Sequence, residues 1–423
     1  MKIYLDSIGC RLNQSEIETM GRQFRAAGHE IVPTAAAADM AVVNTCAVTS
    51  EAASDSRGSV RKIARAGVAD IVVTGCWATL QREQASGLPH VKRVVENDQK
   101  DWLAADLLNL PRAAFDLEPI ARQPLPGLRR RTRAFIKVQD GCDNHCTFCI
   151  TTVARGSSSS RPLRDVISDI RLALGGGTRE VVLTGVHLGS WGQELGSHLR
   201  HLIRAILRET DAPRIRLSSL EPWDLDAEFF ALWEDERLCR HLHLPLQSGS
   251  ASTLKRMARK ITPASFRKLV EDARRVMPEV AITTDVIAGF PGESESEFKE
   301  SLDFVQEMAF AGGHAFSYSP RPGTGAARMA AQVEPGVRKE RNAMYRAMFE
   351  RSAKAYREGF IGQCLPVLWE STTRLDDSGW QMEGLTGNYL RVTAQASHVM
   401  WNEISAVRLE SLQGDGISGT IAS

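Results

Sequence analysis

Short apolar runs alternate with helix-length amphipathic segments from the first residues to about residue 330, and this rhythm restricts the chain more than anything else in it. "KIYLD", "MAVVN", "DIVVTG" and "KRVVE" are β-rich runs, separated by helical stretches such as "SEIETMGRQFRAAG" and "EAASDSRGSVRKIARAG". A strand that re-enters its sheet after a helical crossover runs parallel to the strand before it, so the pattern predicts a parallel sheet. A Pro- and Arg-rich stretch interrupts the alternation, which resumes with "AFIKV", "EVVLTG", "IRLSSL", "HLHLPL", "AITTDVIAGF" and "GHAFSYS". Six such units suit an incomplete (β/α)6 barrel. After a charged helix, "QCLPVLWES", "GWQMEGLT", "YLRVTAQ" and "EISAVRLESL" are strands with polar or Gly-rich breaks, which predicts a small antiparallel β-barrel. The expected fold class is therefore α/β. Its parts are a parallel-sheet domain at 1–118, a basic linker at 119–133, the incomplete barrel at 134–355 and the small barrel at 356–423.

"MKIYLDSIGC" reads as a strand rather than a leader, and no apolar run approaches the ~18 residues that cross a bilayer. The expectation is a cytoplasmic chain without membrane contact. In a reducing compartment clustered thiols point to metal binding or catalysis rather than disulfides. The net charge of +1 conceals local imbalance, because residues 121–139 carry six basic side chains and no acidic one, whereas 357–423 carry four basic and eight acidic. Arg129, Arg130, Arg131 and Arg133 in the linker suit nucleic-acid phosphates. A solvated basic linker is the plainer reading of the same residues.

Six of the eight cysteines fall in two sets of three. "DGCDNHCTFCI" places Cys142, Cys146 and Cys149 within eight positions and offers no fourth cysteine nearby. Structural zinc sites close a tetrahedron, usually from two paired motifs, and the second pair is missing. His145 as a fourth ligand is a weaker reading than an exposed loop histidine, and "CTFC" lacks the surround of a thioredoxin-like redox pair. An iron–sulfur cube with three thiolates and one open iron fits best. Cys10, Cys46 and Cys76 each follow a predicted strand, in "IYLDSIGC", "MAVVNTC" and "IVVTGC". Carboxyl ends of neighbouring parallel strands lie side by side, so these thiols are expected to converge on a second three-ligand site. Cys239 and Cys364 show no such placement and read as packing residues.

The C-x3-C-x2-C spacing after a barrel's first strand resembles the radical S-adenosylmethionine enzymes. That resemblance implies a [4Fe-4S] cluster on Cys142, Cys146 and Cys149, with S-adenosylmethionine on its open iron as the source of a 5′-deoxyadenosyl radical. It further implies Thr184 and Gly185 near the methionyl end, Ser219 and Glu221 near the ribose, and Gln247 with Asp285 and Gly289 near the adenosine. Two three-cysteine sites in this order, followed by a small barrel with "GQCLPVLWE" and "GLTGNYLRV", resemble the methylthiotransferases and their TRAM domain. The resemblance spans essentially the whole chain and implies a second [4Fe-4S] cluster on Cys10, Cys46 and Cys76 that presents sulfur for insertion.

"LTGVHLGSWG", "RLSSLEPWDLD" and "YSPRPGTGAARM" look like the branch that modifies N6-threonylcarbamoyladenosine beside the tRNA anticodon. The isopentenyladenosine branch usually has Gly-Gln-Asn where Gly185, Val186 and His187 stand here, and the branch acting on a ribosomal-protein aspartate also differs there. His187, Ser190 and Arg321 are the expected polar partners of the threonylcarbamoyl group. Arg155 and the TRAM face near Asn388, Tyr389 and Arg391 are further expected tRNA contacts. The resemblance also implies an electron donor such as flavodoxin or ferredoxin, and leaves the sulfur donor open.

Overall fold

Four strands expected in the amino-terminal sheet become five: β1 (Lys2–Ser7), β2 (Glu30–Val32), β3 (Met40–Thr45), β4 (Asp70–Gly75) and β5 (Val91–Val95). The extra strand, β2, has three residues and sits at the sheet edge, too short for an apolar run to reveal it. The computed structural model describes residues 1–111, 132–376 and 379–422. The linker arginines Arg129, Arg130 and Arg131 lie outside the described residues.

The chain divides into two compact units. The first comprises Met1–Asn144, Cys149–Gly177 and Thr184–Val186, and the second His145–Phe148, Thr178–Leu183 and His187–Ser423. These divisions do not follow the expected domain limits, because the segments flanking the cysteine motif share the first unit with the amino-terminal sheet.

In the first unit the sheet order is β2-β1-β3-β4-β5, all parallel. Every residue of β3 and all but the first of β4 are buried, as expected for strands covered on both faces. Alternate side chains serve two cores. Met40 and Val42 pack with Ile17, Met20 and Phe24 of helix α1 (Arg11–Ala26), while Ala41 and Val43 pack with Val60 and Ile63 of helix α2 (Ser50–Arg65). Helix α3 (Cys76–Leu80) starts directly after β4. The unit also holds β6 (Arg133–Lys137) and an antiparallel pair of short strands, β7 (Gln139–Asp140) and β8 (Ser159–Ser160).

In the second unit the residues of β9 (Glu180–Thr184) up to Leu183 pair in parallel with β10 (Arg214–Leu217), from Glu180–Arg214 to Leu183–Leu217. Strands β11 (His241–His243), β12 (Ala281–Ala288) and β13 (Gly312–Ser317) form a second parallel set. Bridges Ile215–Leu238 and Ser219–His243 join the two sets in chain order. A long helix, Pro335–Glu358, leads to five further strands: β14 (Cys364–Asp376), β15 (Gly379–Thr386), β16 (Arg391–Ala396), β17 (Ile404–Gln413) and β18 (Gly416–Ile421). They close into a barrel in the order β14-β15-β16-β18-β17 around Val367, Trp369, Met382, Val392, Val407, Leu409 and Ile417. The fifth strand, "GISGTI", is interrupted by two glycines, which break its apolar pattern and hide it from sequence patterning.

Candidate metal centre and its surroundings

The strand order places the cysteines. The chain leaves β1 for β2 on one side, then returns to β3 on the other, so β1 and β3 are the strands at which the sheet reverses its winding. Ligands of open parallel sheets bind outside the carboxyl ends at such a reversal. Ser7 is in register with Asn44, and Thr45 with Gly75, so β1, β3 and β4 end at neighbouring points. Cys10 caps α1, Cys46 follows β3 directly, and Cys76 opens α3.

Two glycines make that convergence possible. Gly9 has φ +98° and its missing Cβ would stand 2.5 Å from the Cβ and Sγ of Cys46. Gly75 has φ +95° and a Cβ there would stand 2.3 Å from the carbonyl oxygen of Thr45. Cys46 and Cys76 are buried, whereas Cys10 is exposed. Burial pushes the Cys46 thiol up to about 11, and the Cys10 and Cys76 thiolates push it the same way while Arg155 opposes them.

Among the described residues no three His, Cys, Asp or Glu side chains close on one point as ligands of a single ion would. A cubane distributes its thiolates over separate irons, so its ligands stand wider apart than those of one ion. The donor set fits such a group: three thiols past the carboxyl ends of adjacent strands, two of them at helix N-termini, with one of these receiving a side-chain amide N–H. Asn97 Nδ2 donates to Cys76 Sγ at 3.6 Å. The Cys10 thiol donates to Asn13 Oδ1 at 3.7 Å.

The second triplet occupies the segment between β7 and the helix Thr151–Arg155. Cys142 and Cys149 belong to the first unit and Cys146 to the second. The Asn144 backbone N–H donates to Cys142 Sγ at 3.4 Å, and Arg259 Nη1 donates to Cys146 Sγ at 3.7 Å. Arg259 also bonds Glu221 at 2.7 Å and lies 4.5 Å from the centre of the Trp223 ring.

Of the residues expected near S-adenosylmethionine, Thr184 and Gly185 are in the first unit, where the Thr184 carbonyl accepts from Val138 N–H at 2.9 Å. A Cβ at Gly185 would meet Gln139 Oε1 at 2.8 Å. Ser219, Glu221, Gln247, Asp285 and Gly289 are in the second unit; Asp285 lies within β12, and the others follow β10, β11 and β12. Gln247 holds a left-handed backbone, φ +73°, and hydrogen-bonds through its N–H to the Asp285 carbonyl and through its carbonyl to the Ile287 N–H. Such strain in a non-glycine residue is concentrated at binding sites. The Asp285 carboxylate accepts from His243 Nε2 and His314 Nδ1, both at 3.2 Å. Burial alone would raise its pKa, yet the two histidines hold it well below the usual carboxylate range.

Three expected RNA contacts are placed differently from the sequence reading. Arg155 is an interior residue, its side chain 2% exposed and bonded to Glu16, Asp140 and Asn13 at 3.0, 2.9 and 2.8 Å. Its neighbours come from α1 and β7, which sequence proximity could not reveal. His187 is buried with Nε2 2.6 Å from Asp224 Oδ2, and Ser190 Oγ donates back to the His187 carbonyl at 2.8 Å. Ser190 braces its own loop, and His187 ties that loop to the turn after β10. Arg321 is half-buried, and its carbonyl accepts from Thr324 N–H and Oγ1. Tyr389, φ +69°, stacks on His241 at 4.4 Å between ring centres with the Arg216 guanidinium 4.9 Å from its own. Asn388 is buried and Arg391 exposed. Tyr389, Asn388 and Arg391 line a cavity of about 110 Å³ with Tyr356, Arg357 and Asp415. Arg133 is half-buried at the start of β6.

Sequence reasoning missed Asn13, Glu16, Asn97, Lys100 and Arg259. The signal was present for two of them: Asn13 and Glu16 interrupt the core-facing stripe of α1 that continues in Ile17, Met20 and Phe24.

Residues 2–96 match the Uncharacterized protein family UPF0004, and residues 136–305 the Radical SAM superfamily. The chain is 35% identical to a threonylcarbamoyladenosine tRNA methylthiotransferase of Thermotoga maritima, over 98% of this chain and 96% of that one. A protein of the same name from Bacillus subtilis is 32% identical over 95% and 92%. A tRNA-2-methylthio-N(6)-dimethylallyladenosine synthase of Sphingopyxis alaskensis is 34% identical over 87% and 86%. Among solved structures, the radical S-adenosylmethionine methyltransferase TsrM of Kitasatospora setae superimposes with a TM-score of 0.60 at 15% identity, covering 77% of this chain and 75% of that one. This last likeness concerns the fold alone. Among the described residues no helix is long and apolar enough to cross a membrane.

Proposed function

The chain belongs to the radical S-adenosylmethionine methylthiotransferase family, and from that membership we propose that it converts N6-threonylcarbamoyladenosine beside the tRNA anticodon (adenosine 37) to its 2-methylthio derivative. The observation that supports the substrate is 35% identity over 98% of the chain to a threonylcarbamoyladenosine enzyme, against 29–34% for dimethylallyladenosine relatives that cover 86–99% of it. Membership brings S-adenosylmethionine and one [4Fe-4S] cluster with it. A second [4Fe-4S] cluster, tRNA as partner, an electron donor such as flavodoxin or ferredoxin, and a cytoplasmic location complete the proposal. So do a cluster domain at 1–118, a radical domain at 134–355 and a TRAM barrel at 356–423.

When bound, the clusters and S-adenosylmethionine supply the radical that removes hydrogen from an unreactive carbon and the sulfur and methyl group that replace it. The protein's part is to hold and orient. Cys142, Cys146 and Cys149 hold one cluster, and Cys10, Cys46 and Cys76 the other. Thr184, Gly185, Ser219, Glu221, Gln247, Asp285 and Gly289 line the S-adenosylmethionine site. Arg129, Arg130, Arg131 and Arg133 take tRNA phosphates, with Arg321, Tyr389 and Arg391 as further contacts. His187, Ser190 and Arg155 support these groups from inside. The test is mass spectrometry of tRNA nucleosides from cells with and without this protein. Loss of the 2-methylthio form with accumulation of threonylcarbamoyladenosine is the expected result, and an unchanged nucleoside profile would overturn the assignment.

A further inference from the structure

Behind the amino-terminal cysteines lies a buried charged cluster for which the cysteines' own ligating role does not account. Arg155, Lys100 and Glu16 have side chains 2%, 0% and 1% exposed. Lys100 Nζ is 2.6 Å from Glu16 Oε2, Lys137 Nζ is 3.5 Å from Glu16 Oε1 and 2.8 Å from Asp140 Oδ2, and Arg155 reaches both carboxylates. Three cations face two buried carboxylates. A third carboxylate, Asp101, meets Lys137 from the solvent side, where water screens it. The interior group is thus one positive charge in excess, an arrangement that is costly unless an anion stands beside it.

The network leads to sulfur at both ends. Arg155 Nη2 donates to Asn13 Oδ1, the same oxygen that the Cys10 thiol approaches, while Asn13 Nδ2 is fixed by the Ile8 and Thr45 carbonyls. Lys100 Nζ donates to Asn97 Oδ1 at 2.8 Å, which leaves the Asn97 amide N–H groups for Cys76 Sγ and the Ala154 carbonyl. Arg155 feels Cys76 and Cys10 as stabilising charges. Every group named here belongs to the first unit.

We propose that Arg155 and Asn97 form a positioning device that stabilises the thiolates of Cys10 and Cys76 and raises the reduction potential of the cluster they help to hold. The inference rests on the reading that Cys10, Cys46 and Cys76 carry a second cluster. Charge and hydrogen bonds directed at ligand sulfur favour the more negative, reduced state, so removing them lowers the potential. Asn97 touches sulfur directly. Arg155 acts through its charge, and Asn13 Oδ1 holds its guanidinium in place.

The test isolates the cluster in full-length protein carrying Cys142→Ala, Cys146→Ala and Cys149→Ala, reconstituted anaerobically and titrated with dithionite under paramagnetic-resonance detection. In that background Arg155→Gln is expected to lower the midpoint by about a tenfold change in the reduced-to-oxidised ratio, ~59 mV for one electron. Arg155→Lys should restore most of the difference. Asn97→Asp, which replaces an N–H donor to Cys76 with an acceptor, should shift the midpoint in the same direction and keeps the idea testable if Arg155→Gln does not fold. A merely structural role predicts less iron per chain with an unmoved midpoint in what remains, and that outcome overturns the inference while leaving the second cluster intact. Absence of any cluster from the triple-cysteine background overturns the two-cluster reading and this inference together.

Discussion

Gly9 joins backbone strain and ligand approach in one residue. A Cβ there would overlap Cys46 Sγ at 2.5 Å and hold φ at +98°. Gly28, φ +81°, provides the comparison, because a Cβ there meets nothing within 4 Å. Both Gly9→Ala and Gly28→Ala should lose about 1–3 kcal/mol through strain. Gly9→Ala alone should also lose one cluster's iron after anaerobic reconstitution, because the intruding methyl displaces a ligand. Iron per chain and thermal unfolding measured on both variants separate the two effects, and equal iron in both would refute the geometric account. Residues of this kind differ in how much their sequence discloses. The positions of Cys10, Cys46 and Cys76 past strand ends were legible because each follows an apolar run, and strand ends are neighbours in a parallel sheet. Arg155 was read as a phosphate contact because an arginine's partners are invisible in sequence, and Glu16 lies 139 positions away.

Strand β10 shows the same limit at the scale of an element. "RIRL" has the alternation of a strand with one wet face, yet all four residues are buried. Arg216 is bonded to Glu180 at 2.7 and 3.1 Å and donates to the carbonyls of Gly387 and Thr386, while Arg214 donates to that of Leu385. The arginines therefore tie the parallel strands to the end of β15 and the turn that follows it. Arg216→Met removes a charge from a fully buried pair and should cost about 3–5 kcal/mol. Urea unfolding would read the loss, and Glu180→Gln in the same background should recover part of it. Across β11, β12 and β13, Asp285 adds a dependence on pH. Its folded pKa lies below the unfolded value, so its contribution is present above about pH 4 and declines as pH falls below that. Asp285→Asn should be destabilised by about 1–3 kcal/mol at pH 7 and show a shallower loss of stability on acidification. Equal acid slopes for the two proteins would exclude the histidine pairing as its cause.

At the scale of the whole molecule, alternation and spacing disclosed most of the architecture, because helical crossovers leave a parallel sheet little choice of direction. What they did not disclose was how the chain partitions, since Cys142 and Cys149 fall in one unit and Cys146 in the other. The two triplets should be separable in function, each supplying its own thiolates. Replacing Cys10, Cys46 and Cys76 with Ala should preserve reductive cleavage of S-adenosylmethionine to deoxyadenosine and abolish sulfur insertion. Replacing Cys142, Cys146 and Cys149 should abolish both. Zinc in either site of anaerobically purified protein, without labile sulfide, would contradict the assignment. Substrate choice is the sharper prediction. A threonylcarbamoyl group adds a carboxylate, a hydroxyl and a urea-like amide to the adenine, whereas a dimethylallyl group adds only carbon. His187 and Ser190 are committed to Asp224 and to their own loop, so their contribution is rigidity at the end of β9 rather than direct recognition. A site whose donors are aligned in advance rejects a ligand that leaves them unpaired, by as much as ~10⁴-fold where the donors are buried. Reconstituted enzyme should therefore methylthiolate threonylcarbamoyl-modified anticodon loops and turn over dimethylallyl-modified or unmodified loops at least ~100-fold more slowly, a threshold far inside that bound. Comparable rates on the dimethylallyl substrate would move the chain to the neighbouring branch of its family, and the predictions for the two cysteine triplets would stand unchanged.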